Sequence, residues 1–508
     1  MCGIVGIWGR EERETVGEMM RRLTHRGPDA DGVRTDGHGT LGHRRLSIMD
    51  PAGGNQPIYS GDRRRAIVGN GEIYNFPRLR KELSGRHRFR TRSDTESVLH
   101  LWEDCATGVA ERLDGMYAFA VADGDDLYLA RDPIGIKPLY IGLREEGCVF
   151  GSELKAMAGV ARRVAEFPPG AWYHSRLGFR RFYEVPDRRP EERGVEDHCA
   201  RIRAAVERAV EKRLMSDVPL GAFLSGGLDS SIIAALAKRG LGELHTFSVG
   251  IEGSDDLAAA RVVSEHLGTI HHEYVFTVEE VLEKLPEIVY HLESYDQDLV
   301  RSAIPCYFTS RLAAEHVKVI LTGEGADELF AGYTYYRDVP SDDVLHEELR
   351  RSVCSLHNVN LQRVDRLTMA HSIEGRVPFL DTELIELAQT VPARLKLCRD
   401  ERGRLREKWI LRKAFEDLLP PEIVWRVKAQ FDEGSGTVDL LSRGLDRFLP
   451  AEGAKDYAAD HPAAGLRSAE ECAYHKLLRE AYADSEAILS NVARWADRPD
   501  YCGGSRLN

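Results

Sequence analysis

Cysteine is scarce in this chain, at nine in 508 residues, and the number is odd. A disulfide framework is therefore not expected. No run approaches the roughly 18 apolar residues of a membrane span. The first residues, Met1-Cys2-Gly3-Ile4-Val5-Gly6-Ile7-Trp8, lack the basic region and longer apolar stretch of a secretory signal. A cytoplasmic, reducing setting with free thiols is the expectation. Positive charge is not in excess either. With 69 Lys+Arg against 82 Asp+Glu the net charge is −13, which argues against binding nucleic acid or an anionic membrane. What remains is 43% hydrophobic and 30% charged, an ordinary globular composition. At roughly 150 residues per domain, the length suggests two to four domains with real cores.

Charge divides the chain unevenly. Residues 1–190 hold 30 basic and 27 acidic side chains, leaving 39 and 55 for residues 191–508. The shift coincides with a polar, proline-bearing stretch at 184–197, of the composition that suits a connector. Two domains are expected, 2–190 and 191–508. The front one shows short apolar runs separated by glycines (Cys2–Trp8, Ala66–Gly69, Tyr117–Val121, Leu127–Ala130, Cys148–Phe150), which reads as all-β or α+β. In the back one, strand-like Pro219–Leu224, His245–Val249, His271–Phe276 and Val317–Thr322 alternate with helix-like Asp229–Lys238, 257–267 and Val278–Tyr290. That alternation predicts βαβ units and a parallel sheet, with mostly helix from about residue 343 onward.

Cys2 becomes a candidate nucleophile if Met1 is removed, because its α-amine, with a reference pKa of about 7.7–8.0, could then serve as the general base. A small residue at position 2 is common, so the neighbouring strings matter more. They are His25-Arg-Gly-Pro-Asp29, His43-Arg-Arg-Leu-Ser-Ile48, Gly69-Asn-Gly-Glu-Ile-Tyr-Asn75 and Arg92-Ser-Asp-Thr-Glu96. Singly, each suits a turn between strands. Jointly they supply what hydrolysis of a glutamine side chain needs: an arginine for a carboxylate, an acid for an ammonium, and an amide plus a glycine N–H for an oxyanion.

With Arg131-Asp-Pro-Ile-Gly-Ile-Lys-Pro138, these strings resemble the glutaminase domain of the N-terminal-nucleophile (class II) amidotransferases, in family order over residues 2–155. The resemblance implies a four-layer α/β/β/α sandwich with Cys2 as nucleophile. It implies that Arg45 and Asp94 grip glutamine, helped by Leu46, Ser47, Ile48, Met49 and Glu72. Asn70 and Gly71 would form the oxyanion hole.

The second informative string is Ser225-Gly226-Gly227-Leu228-Asp229-Ser230-Ser231, between an apolar strand and a helix. Glycines let the backbone approach a phosphate and the helix N-terminus favours the anion. The lysine of an ordinary P-loop is missing. An acidic cluster, Thr322-Gly323-Glu324-Gly325-Ala326-Asp327-Glu328, follows the strand near 317–321, and both should lie at the carboxyl ends of strands where ligands gather. Some of its carboxylates could serve only as helix caps. Lys408 and Arg412 share a helical face at i,i+4, which suits either a ligand site or a solvated charged face.

The SGGLDSS loop looks like that of the ATP pyrophosphatases, which release pyrophosphate and adenylate a carboxylate. Together with HTFSVG, TGEGADELFAGY, Ile373-Glu-Gly-Arg-Val-Pro-Phe-Leu-Asp381 and Trp425-Arg-Val-Lys-Ala-Gln-Phe431, it resembles the synthetase domain of the glutamine-hydrolysing asparagine synthetases. The bacterial type-B form is nearest, because Gly253–Leu257 and Ser294–Pro305 also look like it. That resemblance implies an ATP-dependent ligase converting L-aspartate, L-glutamine and ATP to asparagine, glutamate, AMP and diphosphate. Leu224, Ser225, Gly226, Gly227, Ser230, Val249, Thr322 and Gly323 would hold ATP, with Lys428 on the phosphates. Asp229 and Asp327 would share Mg²⁺, and Glu324 would assist adenylation and take protons from ammonia. An internal ammonia channel and a homodimer are further expectations. The alternatives are transfer to another carboxylate, such as a cell-wall or secondary-metabolite precursor, and an inactive amino-acid sensor or assembly subunit. The β-lactam-forming relatives have lost the nucleophile, and Cys2 with the glutamine grip argues against them.

Overall fold

The computed structural model describes residues 2–400, 403–426, 444–482 and 486–495. The short apolar runs of the front half build two six-stranded antiparallel sheets. One has the order Ala165–Glu166, Tyr140–Leu143, Cys148–Gly151, Gly3–Trp8, Gly39–Arg45, Ala30–Asp36. The other has the order Gly178–Arg181, Ala171–His174, Asp126–Arg131, Gly115–Asp123, Arg65–Ile73, Ile58–Tyr59. Alternation along Gly3–Trp8 sets the layers. Ile4 and Trp8 pack with Val68, Ala118 and Ala120 of the facing sheet. Val5 and Ile7 pack instead on Val16, Met19 and Met20 of the helix Arg13–Arg22. The second sheet turns Ile67, Tyr117 and Phe119 toward Leu79, Val98 and Leu101, on the helices Phe76–Leu83 and Asp94–Cys105. The result is the expected four-layer α/β/β/α sandwich.

Residues 182–194 carry no regular element, and the helix Val195–Arg213 opens the back half. There a five-stranded parallel sheet has the order Ile270–Val275, His245–Gly250, Leu220–Phe223, Val319–Leu321, Glu374–Arg376. The first four strands fall within a residue or two of the expected runs. The fifth lies in the stretch read as helical. Three residues are too few for a period-two signal, and pairing with Val319–Leu321 recruits them. Strand order reverses between Leu220–Phe223 and Val319–Leu321, so the loops after both open into one crevice.

The halves meet on buried charges. Arg26, fully buried, donates to Glu153 at 2.6 Å and to Asp365 of the helix Asn360–Met369 at 2.7 Å. Next to Asp365, Arg366 donates to Glu293 at 3.0 Å, and Glu293 accepts from the Lys155 N–H at 2.6 Å. The Lys155 ammonium closes the set on Glu153 at 2.6 Å. Buried charges are costly unless paired, and here each has a partner across or beside the interface. Among the described residues no helix is long and apolar enough to cross a membrane, and the eight described cysteines are free thiols.

Lys396 is a buried cation of another kind. It is 1% exposed, and its Nζ makes no hydrogen bond. Burial draws its pKa down to about 7. Between there and the unfolded value of about 10.4, the unfolded chain binds a proton that the folded chain does not. Stability attributable to this group therefore rises with pH across that window. Lys396→Met is expected to raise the melting temperature at pH 7, on the order of a few kcal/mol of stability, and to flatten its rise toward pH 10. Thermal melts across this range check it; an unchanged slope contradicts it.

Candidate functional site

The first strand places Cys2 against both sheets. Its backbone N–H donates to Asn70 Oδ1 at 2.9 Å, and its Sγ lies 3.9 Å from the Leu46 carbonyl oxygen. Cys2 is 8% exposed. Burial pushes its thiol pKa up, against the pull of the Leu46 contact and the Arg45 charge. At neutral pH it is a thiol that needs a base to react. With Asn70 Oδ1 engaged by Cys2, Asn70 Nδ2 is a buried donor without a hydrogen-bond partner. Gly71 follows at φ +135°, where an added Cβ would lie 1.9 Å from the Met116 carbonyl oxygen, so the position requires glycine.

Arg45 turns toward the loop that follows it. Its two terminal nitrogens donate to Pro51 O (3.1 Å), Asn55 Oδ1 (2.7 Å), Met49 O (3.2 Å) and Asp50 O (2.7 Å). It shapes the loop after Leu46–Met49 and keeps positive charge near Cys2. Leu46 and Ile48 are buried, Met49 packs beside them, and the Ser47 N–H donates to Asp29 Oδ2 at 2.8 Å. Asp94 begins its helix and accepts from the Ile73 N–H at 2.7 Å. Burial raises its pKa. Glu72 is also buried, and burial together with Glu374 and Asp94 drives its pKa well above the usual carboxylate range.

Glu374 comes from the other half of the chain. The edge strand Glu374–Arg376 sits against the cysteine site: Arg376 donates to Glu374 at 2.7 Å and reaches Glu72 at 3.6 Å. Burial alone would raise the Glu374 pKa, but neighbouring positive charges, Arg376 and Lys137 among them, hold it at about 2. Lys137 donates to the Gly375 carbonyl at 3.2 Å. The strings around Lys137 and Glu374 stand out in the sequence. Nothing in their spacing says that they meet.

The crevice of the parallel sheet measures about 330 Å³. Leu220–Phe223 runs through Leu224 and the Ser225-Gly226-Gly227 turn into the helix Leu228–Leu241. Gly226, at φ +70°, lies flat on the neighbouring helix, where a Cβ would be 2.5 Å from Ala259. The Ser225 N–H donates to Ser230 Oγ at 3.2 Å, and the Gly227 N–H to Ser225 Oγ at 3.3 Å. Thr322 and Gly323 follow the next strand so closely that a Cβ on Gly323 would lie 2.9 Å from Asp229 Cβ. Leu224, Val249, Thr322 and Glu324 line the crevice with these loops.

Asp229 and Asp327 are brought together, and a lysine lies between them. The buried Lys408 ammonium contacts Asp229 and lies 2.7 Å from Asp327. Burial would lower its pKa; the two carboxylates outweigh that and hold it above the ordinary value. Arg412 is buried as well, donating to the Glu407 carbonyl and carboxylate at 2.9 Å each. Neither lies on a solvated face. Glu324 is in contact with Arg363, a residue that sequence reasoning did not single out. Glu328 is buried beside Asp327, and burial plus that charge raises its pKa to about 8. Lys428 lies outside the described residues.

A family model described as asparagine synthase matches residues 201–343 and 337–497, and one described as a glutamine amidotransferase domain matches residues 1–171. Among curated relatives, a glutamine-hydrolyzing asparagine synthetase of Triphysaria versicolor is 42% identical over 460 residues, 86% of this chain and 78% of that protein. Glutamine-hydrolyzing asparagine synthetase 2 of Arabidopsis thaliana is 41% identical over 485 residues, 91% of this chain and 82% of its own. With both halves matched and two relatives above 40% identity along most of their length, the chain belongs to the asparagine synthase family and carries a glutamine amidotransferase domain at its front.

Proposed function

We propose that the chain makes L-asparagine from L-aspartate, ATP and ammonia that it releases from L-glutamine. The observation that carries this reading is the pairing of a buried thiol held at Asn70 with a crevice built around a glycine–serine loop and converging carboxylates. In the first reaction the Cys2 sulfur attacks the glutamine amide carbon as its proton passes to the α-amine of the processed chain. Asn70 Nδ2 and the Gly71 N–H hold the resulting oxyanion. Collapse, with that proton passed on to the departing nitrogen, expels NH₃ and leaves a thioester, which water cleaves to glutamate and the free thiol. Arg45 acts here by shaping the Leu46–Met49 loop around the substrate, while Glu72 and Asp94 meet the polar end of glutamine.

In the second reaction an oxygen of the aspartate β-carboxylate attacks the α-phosphorus of ATP, and diphosphate leaves. Leu224, Val249 and Thr322-Gly323 cradle the nucleoside, and the Ser225–Ser230 loop takes the phosphates. Ammonia then attacks the activated carbonyl, AMP departs, and Glu324 accepts the surplus proton. Asp229 and Asp327 converge on one cation, Lys408 Nζ; as a hard-oxygen pair they also fit Mg²⁺. When bound there, the ion would neutralise charge on the departing diphosphate. Ammonia in neutral water is mostly protonated and unreactive, which favours an internal passage between the sites. Leu46, Ile48 and Met116 near Cys2 and Leu224, Val377 and Leu380 near the crevice belong to one buried apolar cluster, whose side chains would line such a passage. The reading includes a cytoplasmic homodimer.

Cys2→Ala is expected to abolish glutamine-dependent asparagine formation while leaving ammonia-dependent formation within about twofold; loss of both would refute the division of labour. Glu324→Gln should keep glutaminase activity and lower diphosphate release at least a hundredfold, on the order expected for a lost acid–base group. Diphosphate release at the unaltered rate would show that Glu324 has another role.

A further inference from the structure

Five carboxylates line the crevice: Asp229, Asp256, Asp298, Glu324 and Asp327. Four are matched by cations on the same wall. Lys408 serves Asp229 and Asp327, Arg426 donates to Asp256 at 2.9 Å, and Arg363 contacts Glu324. Asp298 differs. It lies in the first turn of the helix Gln297–Ala314 and lines the crevice with Leu299 and Ser302 of the same helix. Among the described residues its carboxylate has no hydrogen bond or ion pair, and the nearby cations are engaged elsewhere. Arg301 donates to Glu470 at 2.9 and 2.6 Å, and Arg467 donates to Asp296 at 2.9 Å and to Glu471 at 3.0 Å.

An acid in the first turn of a helix is favoured by the peptide dipoles, which accounts for the residue type. It does not account for its opening into the crevice. Nor is Asp298 needed as a cap, because Asp296 already accepts from the Leu299 N–H at 2.9 Å. A half-buried carboxylate on a cleft wall where every other acid is compensated is suited to a cation that arrives with the ligand. ATP brings none. The carboxylate acceptor is the substrate that can.

We propose that Asp298 receives the ammonium group of the acceptor, so that the crevice selects an α-amino dicarboxylic acid over a dicarboxylic acid lacking the amine. This rests on the proposed function and adds the residue that reads the acceptor's amine. Recognition by a charge-assisted hydrogen bond gives discrimination because an acceptor without the ammonium leaves Asp298 partly desolvated and unpaired.

The test is diphosphate release by the full chain with ATP, Mg²⁺ and ammonium chloride, with L-aspartate as substrate and succinate as competing inhibitor. Asp298→Asn is expected to raise KM for aspartate about tenfold or more, with kcat and the KM for ATP within about twofold. Succinate should inhibit the variant at least as well as the unaltered protein, and Asp298→Glu should recover much of the loss. Glutaminase activity of the same preparations reports intact folding. An unchanged aspartate KM, or equal weakening toward aspartate, succinate and ATP, would overturn the role of Asp298 alone. No diphosphate from the unaltered protein with aspartate would instead overturn the aspartate reading, and this inference with it.

Discussion

Arg26 is the side chain on which the two halves of the molecule turn. Its Nε donates to the Cys2 carbonyl at 3.0 Å, while its terminal nitrogens hold Glu153 in the same half and Asp365 in the other. Burial would lower its pKa, but the two carboxylates outweigh that and raise it. A planar guanidinium with five donors can serve three acceptors at once; a lysine could not do so in this geometry. Asp365 sits on the helix Asn360–Met369, and two residues before it Arg363 contacts Glu324 in the crevice. A single short helix thus touches the proposed proton acceptor of one site through Arg363 and, through Asp365 and Arg26 in turn, is linked to the backbone of the proposed nucleophile of the other. Replacing such a network by apolar residues is often neutral for stability, while breaking it is costly. What it offers is one fixed docking of the halves.

The acidic excess of residues 191–508, with 39 basic against 55 acidic side chains, looks at first unsuited to a nucleotide. The crevice resolves this locally. Lys408, Arg426 and Arg363 each stand against a carboxylate on its wall; in the proposed function, triphosphate recognition would rest on such placed cations and on N–H groups of the Ser225–Ser230 loop. At the cysteine site the logic is similar. Glu374 and Glu72 lie close together in full burial, and Arg376 between them lets one ionise while the other is driven toward its neutral form. The charge on Glu374 is thereby retained near Cys2, but it is supplied by the opposite half of the chain.

Much of the architecture is legible in the residues. Alternation in the runs at Cys2–Trp8 and Tyr117–Val121 marks strands of the sandwich, and strand–helix alternation from 219 to 322 marks a parallel sheet. Glycines with a stereochemical task also leave a local trace, as Gly71 and Gly226 do. What escapes is anything set by tertiary reach. Glu374–Arg376 is a strand only because Val319–Leu321 offers an edge. The i,i+4 spacing of Lys408 and Arg412 suits a ligand site and a solvated face equally, and only the fold shows Lys408 buried between Asp229 and Asp327. Arg45 resembles a ligand clamp in its string, and only the fold shows that its two terminal nitrogens reach the loop at 49–55. Side chains of four or five rotatable bonds act far from their own backbone, and local pattern does not record where they end.

In the proposed function the interface between the halves is a conduit as well as a joint: ammonia released at Cys2 would reach the activated carboxylate without meeting bulk solvent. The direct measurement is the isotopic composition of asparagine made from saturating unlabelled glutamine in the presence of ¹⁵N-ammonium. The account predicts that the product carries almost entirely the unlabelled glutamine nitrogen. Product labelled in proportion to the free ammonium would contradict it.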